Sequence, residues 1–319
     1  MTVATHGRAG RVPATRSRTA AGAGRSRRAS RGALTGWAYA SPTLVLVTLL
    51  FVVPLVLVVV MSGSDWSLLG GQQGTNFPAN YEAVLAHRMF WPAVRFTLLY
   101  TAVATVLLIG LGLGLALLVQ ESSRWRGFLR TAFLLPTALG LASASLLFYA
   151  LYSPQVGPVS GWLERLGIGS GQVNVLGTAD GALWGTVILI VWRFAGFYML
   201  LLLVGLQGIG HDVYEAARLD GASTVQVFRR ITLPLLKPSL SLATIMCVTG
   251  SLLAFDQFYI LTKGGPDGST MTVVQLIYSL AFESRRDLGM AAALSVLVLV
   301  ALVVVNVVQL RALRRSPEE

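Results

Sequence analysis

The sequence predicts an all-α, polytopic membrane protein with six transmembrane helices and one folded cytoplasmic loop. Three observations carry this. Of 319 residues, 54% are hydrophobic and 12% charged, whereas an ordinary soluble domain carries about 25% charged residues. Six apolar stretches each approach the roughly 20 residues that a helix needs to cross the hydrocarbon core. The connection 207–237, between the fourth and fifth stretches, is far longer than a plain linker and carries its own helix signals.

Residues 1–36 come first. They hold eight arginines (Arg8, Arg11, Arg16, Arg18, Arg25, Arg27, Arg28, Arg31) among Ala, Gly, Ser and Thr, with no periodic apolar face. Such a segment cannot bury enough surface to fold alone and is expected to be a disordered basic cytoplasmic tail. The same composition can mimic a transit peptide, but the apolar run that follows is a full span and not a short signal core.

The expected spans lie at 37–61, 94–119, 131–152, 183–206, 238–262 and 289–310. Inside a bilayer every backbone polar group must be paired internally, so these are helices. Strands of a membrane barrel would alternate apolar and polar residues. The run LVLVTLLFVVPLVLVVV at 44–60 is apolar on all sides. Connections at 62–93, 153–182 and 263–288 are rich in the turn formers Gly, Pro, Ser, Asn and Asp. The membrane domain is expected over 37–311, with a cytoplasmic tail at 312–319.

Charge sets the topology. The formal net charge of +11 could suggest nucleic acid, but its distribution is that of a membrane protein. Eighteen Arg and Lys lie in the tail, after the second span, in the 207–237 loop and at the C-terminus, against five in the alternate connections (Arg88, Arg165, Lys263, Arg285, Arg286). The positive-inside rule then places both termini and the 207–237 loop in the cytoplasm. The single cysteine, Cys247, allows no internal disulfide, and His6, His87 and His211 have no metal-ligand spacing.

The loop QGIGHDVYEAARLDGASTVQVFRRITLPLLK carries most of the information. Asp212 can cap a helix, with Glu215 three residues on as in a capping box. Ala216 and Ala217 favour helix and let another backbone approach. Gly221 can end that helix in the left-handed conformation. Ser223 or Thr224 can cap a second helix. Val225, Phe228 and Ile231 then recur at three-residue spacing on one face. Pro234 and Pro238 turn the chain into the fifth span. The expectation is two short helices around a tight turn. An amphipathic helix lying on the membrane is the plainer alternative, but it would not require Gly221 at its turn.

Polar residues within spans default to functional candidates. Trp192, Arg193 and Tyr198 lie in the fourth span. Ser251, Phe255 and Asp256, with Gln257 beside them, are read as late fifth-span residues. Aromatic faces stack on apolar C–H surfaces of a ligand and paired polar groups bond hydroxyls. The plainer alternatives are helix packing or an interfacial belt for the aromatics, and an interspan ion pair for Arg193 and Asp256. Gly110 and Gly114 have the small-xxx-small spacing of a helix contact.

EAARLDGASTVQVFRRITLP, residues 215–234, resembles the EAA loop of binding-protein-dependent ABC importer permeases. FDQFYILTKGGPDGST at 255–270 is similar to the carbohydrate-importer permeases, more to their first subunit. Tyr278, Ala281–Phe282, GMAAALSV at 289–296, LLP at 134–136 and GLQGI at 205–209 fit as well. The resemblance spans roughly 37–311 and is nearer the shorter multiple-sugar and glycerol-phosphate branch, since no large outer domain interrupts the spans.

It implies a permease of the bacterial inner membrane, not an enzyme. Glu215, Ala216, Ala217, Asp220, Gly221 and Phe228 would dock an ATP-binding subunit. The partners implied are a second permease subunit, two ATP-binding subunits, an extracytoplasmic solute-binding protein and the lipid bilayer, with no nucleic acid. ATP and magnesium would sit on the partner ATPase and no cofactor on this chain, which has no GxxxxGK[ST] loop. Two rival readings stay open: an ABC permease for a non-sugar solute, and an ATP-independent secondary transporter. The latter would need midplane carboxylates and a repeated pair of broken helices.

Overall fold

The computed structural model describes residues 37–121, 123–167, 174–283 and 286–314. The basic tail expected at 1–36 lies outside them, as does the C-terminal tail from residue 315. The chain divides into two compact units, Met1–Leu57 and Val58–Glu319. In the first, the described residues belong to one helix, α1 (Trp37–Ser62), with a π turn at Thr48–Val52.

The second unit continues from the end of α1 into a two-stranded antiparallel hairpin. Its strands β1 (Ser64–Ser67) and β2 (Gly71–Thr75) pair in the register Ser64↔Thr75 and Ser67↔Gly71. From its Gly, Ser and Asn content this stretch is expected only as a turn-rich connection. Then come α2 (Ala79–Leu85), α3 (Phe90–Val119), α4 (Arg124–Leu134), α5 (Leu141–Tyr152), α6 (Pro158–Arg165) and α7 (Ala179–Gln207). The last part runs through α8 (His211–Leu219), α9 (Thr224–Leu235), α10 (Lys237–Leu252), α11 (Asp256–Leu261), α12 (Val273–Glu283) and α13 (Leu288–Arg314).

Four of the six expected spans are single long helices: α1, α3, α7 and α13, with mean hydropathies of 3.3, 2.6, 2.4 and 2.9. The other two are bent. The third is broken between α4 and α5 by 93°, and α9 and α10 meet at 66°. With each bent pair taken as one crossing, the chain has six crossings and an all-α membrane fold.

The breaks correct the expected boundaries. The third stretch was read as one helix over 131–152. Instead a 3₁₀ turn at Leu135–Ala138, containing Pro136, ends α4. The fifth was expected to reach residue 262, but α10 stops at Leu252. At 16 residues it is about 24 Å long, short of a hydrocarbon core of roughly 30 Å. The physical reason for the stop is a competing hydrogen bond: the Thr272 hydroxyl donates to the Ala254 carbonyl at 2.8 Å. Phe255 leaves helical conformation, with φ −137° and ψ −65°, and α11 starts afresh. Asp256 and Gln257 are therefore not fifth-span residues. At the other end of the domain, α13 runs to Arg314, beyond the expected boundary at 311.

Two apolar cores organise the second unit. In the larger, α3, α5, α7, α10 and α11 enclose Tyr100, Leu108, Leu189, Met199, Leu202 and Phe258. Phe258 sits edge-on to Phe96 and Tyr100, with centroids 5.1 and 4.8 Å away. The smaller core gathers Val84, Phe90, Leu276, Leu280, Met290 and Leu294 from α2, the start of α3, α12 and α13. The Val273 amide donates to the Thr97 hydroxyl at 3.0 Å and ties α12 to α3.

Within the described residues the close glycine contact of α3 is not at Gly110 and Gly114. A Cβ on Gly110 or Gly114 would meet nothing within 4 Å. The close approach is made by Gly112, on the other face of α3, where a Cβ would lie 2.9 Å from Tyr198 Cβ on α7. Gly196 plays the same role between α7 and α4, because a Cβ there would collide with the Phe133 carbonyl oxygen.

Backbone is a harder obstacle than a side-chain tip. Gly196→Val is therefore expected to cost the upper end of about 1–3 kcal/mol. It should lower the melting temperature of the detergent-purified protein. Gly250→Ala, whose Cβ would enter open space, should leave it unchanged or slightly raised.

Candidate functional site

Two regions bring the candidate residues together. The first is the folded loop. Helix α8 starts after Gly210, which caps it without a side-chain bond, so the cap expected at Asp212 is not there. Asp212 instead stands in the first turn, where a carboxylate favours the helix dipole. His211 and Glu215 pair across one turn at 3.1 Å.

The turn between the helices is fully hydrogen-bonded. The Gly221 amide donates to the Arg218 carbonyl at 3.1 Å, and the Ala222 amide to the Ala217 carbonyl at 3.0 Å. Those two bonds make a Schellman motif, which needs a left-handed residue at its centre. Gly221 supplies it, with φ +74°.

Ser223 then caps α9. Its hydroxyl accepts from the Gln226 backbone amide at 3.4 Å, and the Gln226 side-chain Oε1 accepts from the Ser223 backbone amide at 2.8 Å. The capping box is thus at Ser223–Gln226, and not at Asp212–Glu215. Thr232 Oγ1 donates to the Tyr214 hydroxyl at 3.4 Å and ties α9 back to α8.

The exposed face of the loop carries Glu215, Ala216, Asp220 and Gly221. Ala217 does not share it. It is 6% exposed and faces the protein, so the expected two-alanine platform reduces to Ala216. Phe228 is half-buried, beside a cleft of about 540 Å³ that also borders Tyr214 and Arg218. Val225 is 65% exposed but borders the same cleft as Phe228, while Ile231 is not among the residues lining it. A π turn at Phe228–Thr232 shifts the phase of the helix, which a strict three-residue spacing misses.

The second region is a cavity of about 280 Å³ among α3, α5, α7, α10 and α11. Its aromatic wall is Tyr100, Phe194, Phe197 and Tyr198, and its polar lining includes Ser251 and Gln257. Gln257 is 3% exposed; its amide donates to the Tyr100 hydroxyl at 3.3 Å, while its carbonyl oxygen has no partner. A buried orphan acceptor is costly unless something bonds it. The cavity can therefore accept a hydroxyl donor beside aromatic faces.

Of the six residues expected along a solute path, Tyr198 and Ser251 line this cavity. Trp192 is 38% exposed and packs at 5.3 Å on Phe148 instead. Phe255 and Asp256 lie on the outer side of α11, opposite buried Gln257 and Phe258. Tyr100 was missed by the sequence analysis, although a lone tyrosine in an apolar span was a legible signal.

Arg193 holds the broken third span. Its Nε donates to the Leu139 carbonyl at 3.0 Å, just where α4 has ended and α5 has not begun. In return, the Thr137 hydroxyl donates to the Arg193 carbonyl at 3.0 Å. The guanidinium also lies 4.3 Å from the Phe194 ring centroid, a cation–π geometry. No ion pair joins Arg193 to Asp256 among the described residues, which excludes the interspan pair considered above.

An all-α chain with several membrane-crossing helices, a largely apolar cavity among α3, α5, α7, α10 and α11 with a few polar groups in its lining, and an exposed helix–turn–helix on one connection fits a multi-pass membrane transport protein. The chain belongs to the family of binding-protein-dependent transport system inner membrane components, whose sequence model matches residues 107–316. It is a transport permease and not an enzyme. It is 38% identical over 232 residues to the trehalose/maltose transport system permease protein MalF of Thermococcus litoralis, covering 73% of this chain and 77% of that one. The multiple sugar-binding transport system permease protein MsmF of Streptococcus mutans is 32% identical over 279 residues, covering 86% and 94%. The fold matches a chain of a bacterial ABC transporter involved in alginate import with a TM-score of 0.80 at 20% identity, over 92% of this chain and all of that one.

Arg193→Met would leave the Leu139 carbonyl unpaired and is expected to cost about 1–3 kcal/mol. The melting temperature of the purified protein should fall, and Arg193→Lys, which keeps a donor, should recover part of the loss.

Proposed function

We propose that the chain is a membrane-spanning permease of an ATP-driven, binding-protein-dependent importer for a carbohydrate. The observation that carries this reading is the rigid helix–turn–helix at 211–235. It offers an acid, a small residue and a tight glycine turn on a chain otherwise built for the bilayer. The names of the relatives support a sugar as the solute. The arginine bias supports a cytoplasmic loop and cytoplasmic termini. Its partners are then a second permease, two ATP-binding subunits that hold ATP and magnesium, and an outer solute-binding protein.

In this reading the loop is a lever. Glu215, Ala216, Asp220 and Gly221 meet a groove of the ATPase, while Ala217 and Phe228 brace the loop from within. Closure of the ATPases pushes α8 and α9. The 66° junction at Leu235–Lys237 passes that push into α10, which carries Ser251 in the cavity wall. Alternating exposure of the cavity follows from rocking α10 against α7. The solute's hydroxyls meet Gln257, Tyr100 and Ser251, and its apolar C–H faces meet Phe194 and Tyr198.

Two measurements test this. Gly221→Val places a β-branched residue at φ +74°, so the turn should open and co-purification with the ATPase should be lost at normal membrane abundance. An intact complex would refute the docking role. Second, Gly250→Cys in a Cys247→Ala background puts a thiol in the cavity wall without a clash. Thiol labelling should slow when the imported solute is supplied with the binding protein and ATP, and an unchanged rate would remove the cavity from the path.

A further inference from the structure

A second aromatic assembly lies outside both cores. Phe255 and Tyr259 stack at 5.1 Å with their planes 15° apart. Tyr278 meets Phe255 at 5.3 Å and Tyr259 at 5.0 Å, and Phe282 extends the row at 5.2 Å from Tyr278. The Tyr259 and Tyr278 hydroxyls are 3.5 Å apart. None of the four rings belongs to either apolar core. Phe282 is 51% exposed and the other three are half-buried. Rings gathered only to fill space would be buried, and these are not.

Acidic neighbours argue against a lipid-facing belt. Asp256, beside Phe255, and Glu283, beside Phe282, are both exposed. A carboxylate in hydrocarbon is expensive, so this surface faces water or a polar partner. The assembly is also preorganised. Thr272 bonds the Ala254 carbonyl, and the single proton of the Thr270 hydroxyl is shared between the Gly265 carbonyl at 2.6 Å and the Thr262 hydroxyl at 2.8 Å. These bonds fix the loop between α11 and α12, so a ligand would not bear the cost of ordering it.

We propose that Phe255, Tyr259, Tyr278 and Phe282 form a stacking platform for a pyranose ring, with Asp256 and Glu283 accepting hydrogen bonds from its hydroxyls. A ring of axial C–H bonds complements the electron-rich faces of aromatic side chains. Flanking carboxylates are the acceptors that sugar hydroxyls need. The same short helix turns Gln257 into the cavity, so platform and cavity wall are one helix thickness apart, about 10 Å. The platform would receive the sugar before the cavity does. This inference rests on the carbohydrate reading above.

The test is uptake by cells expressing the complete transporter, with a radiolabelled panel of maltose, trehalose, lactose, alginate oligosaccharides and glycerol glycosides. Tyr259→Leu and Tyr278→Leu keep bulk and apolarity but remove the ring. Each should raise the half-saturating concentration of the transported sugar about tenfold at unchanged membrane abundance. Tyr259→Trp and Tyr278→Phe should restore it. Wild-type uptake of a panel sugar that both leucine variants match would overturn the platform and leave the carbohydrate reading standing. If the wild type takes up no panel member, both fall. Loss of co-purification with the second permease in the leucine variants would reassign the rings to a subunit interface and overturn the platform.

Discussion

The need to satisfy every backbone polar group away from water governs this molecule. A straight span meets it by itself. A broken one does not, and the break at Leu135–Leu139 frees carbonyls inside the membrane domain. Helix α7 supplies what is missing: Arg193 donates to Leu139, and Thr137 returns a bond to the α7 backbone. Gly196 lets the α4 backbone come close enough for this to happen. The charge of Arg193 is thus tied first to architecture, and its ring neighbour Phe194 carries that architecture into the cavity wall.

The same accounting explains the second interruption. Thr272 takes over the Ala254 carbonyl, which lets α10 stop early and α11 start in a new direction. The new direction separates Gln257, facing inward, from Phe255 and Asp256, facing outward. One unbroken helix could not have presented a buried amide and a fixed aromatic row in this arrangement. Both of these breaks are held by a named donor, Arg193 in one case and Thr272 in the other, and each lies next to a residue of the cavity lining.

The helix–turn–helix at 211–235 is held together by local means. A Schellman turn at Gly221, a capping box at Ser223–Gln226 and the Tyr214–Thr232 bond leave its chain ends satisfied without deep burial. Its 66° junction with α10 connects it to the cavity.

Sequence by itself determined the class of fold, the six apolar crossings and the two helices of the loop, because these follow from run length, composition and turn chemistry that act locally. It also marked Gly221, Tyr198 and Ser251, whose residue types carry their own physical signal. It did not locate the break at Leu253–Phe255, which is completed by Thr272, and although Pro136 was a local signal for the break at Leu135–Leu139, the Arg193 donor that satisfies Leu139 there is remote in sequence. It chose Gly110 and Gly114 over Gly112, because spacing does not reveal which face of α3 meets α7. It grouped Arg193 with Asp256 by polarity alone, while the fold sends one to a freed carbonyl and the other to an outer surface. Those assignments are tertiary because a hydrogen-bond partner remote in sequence, or the side of a helix that a neighbour covers, exists only once the helices have packed.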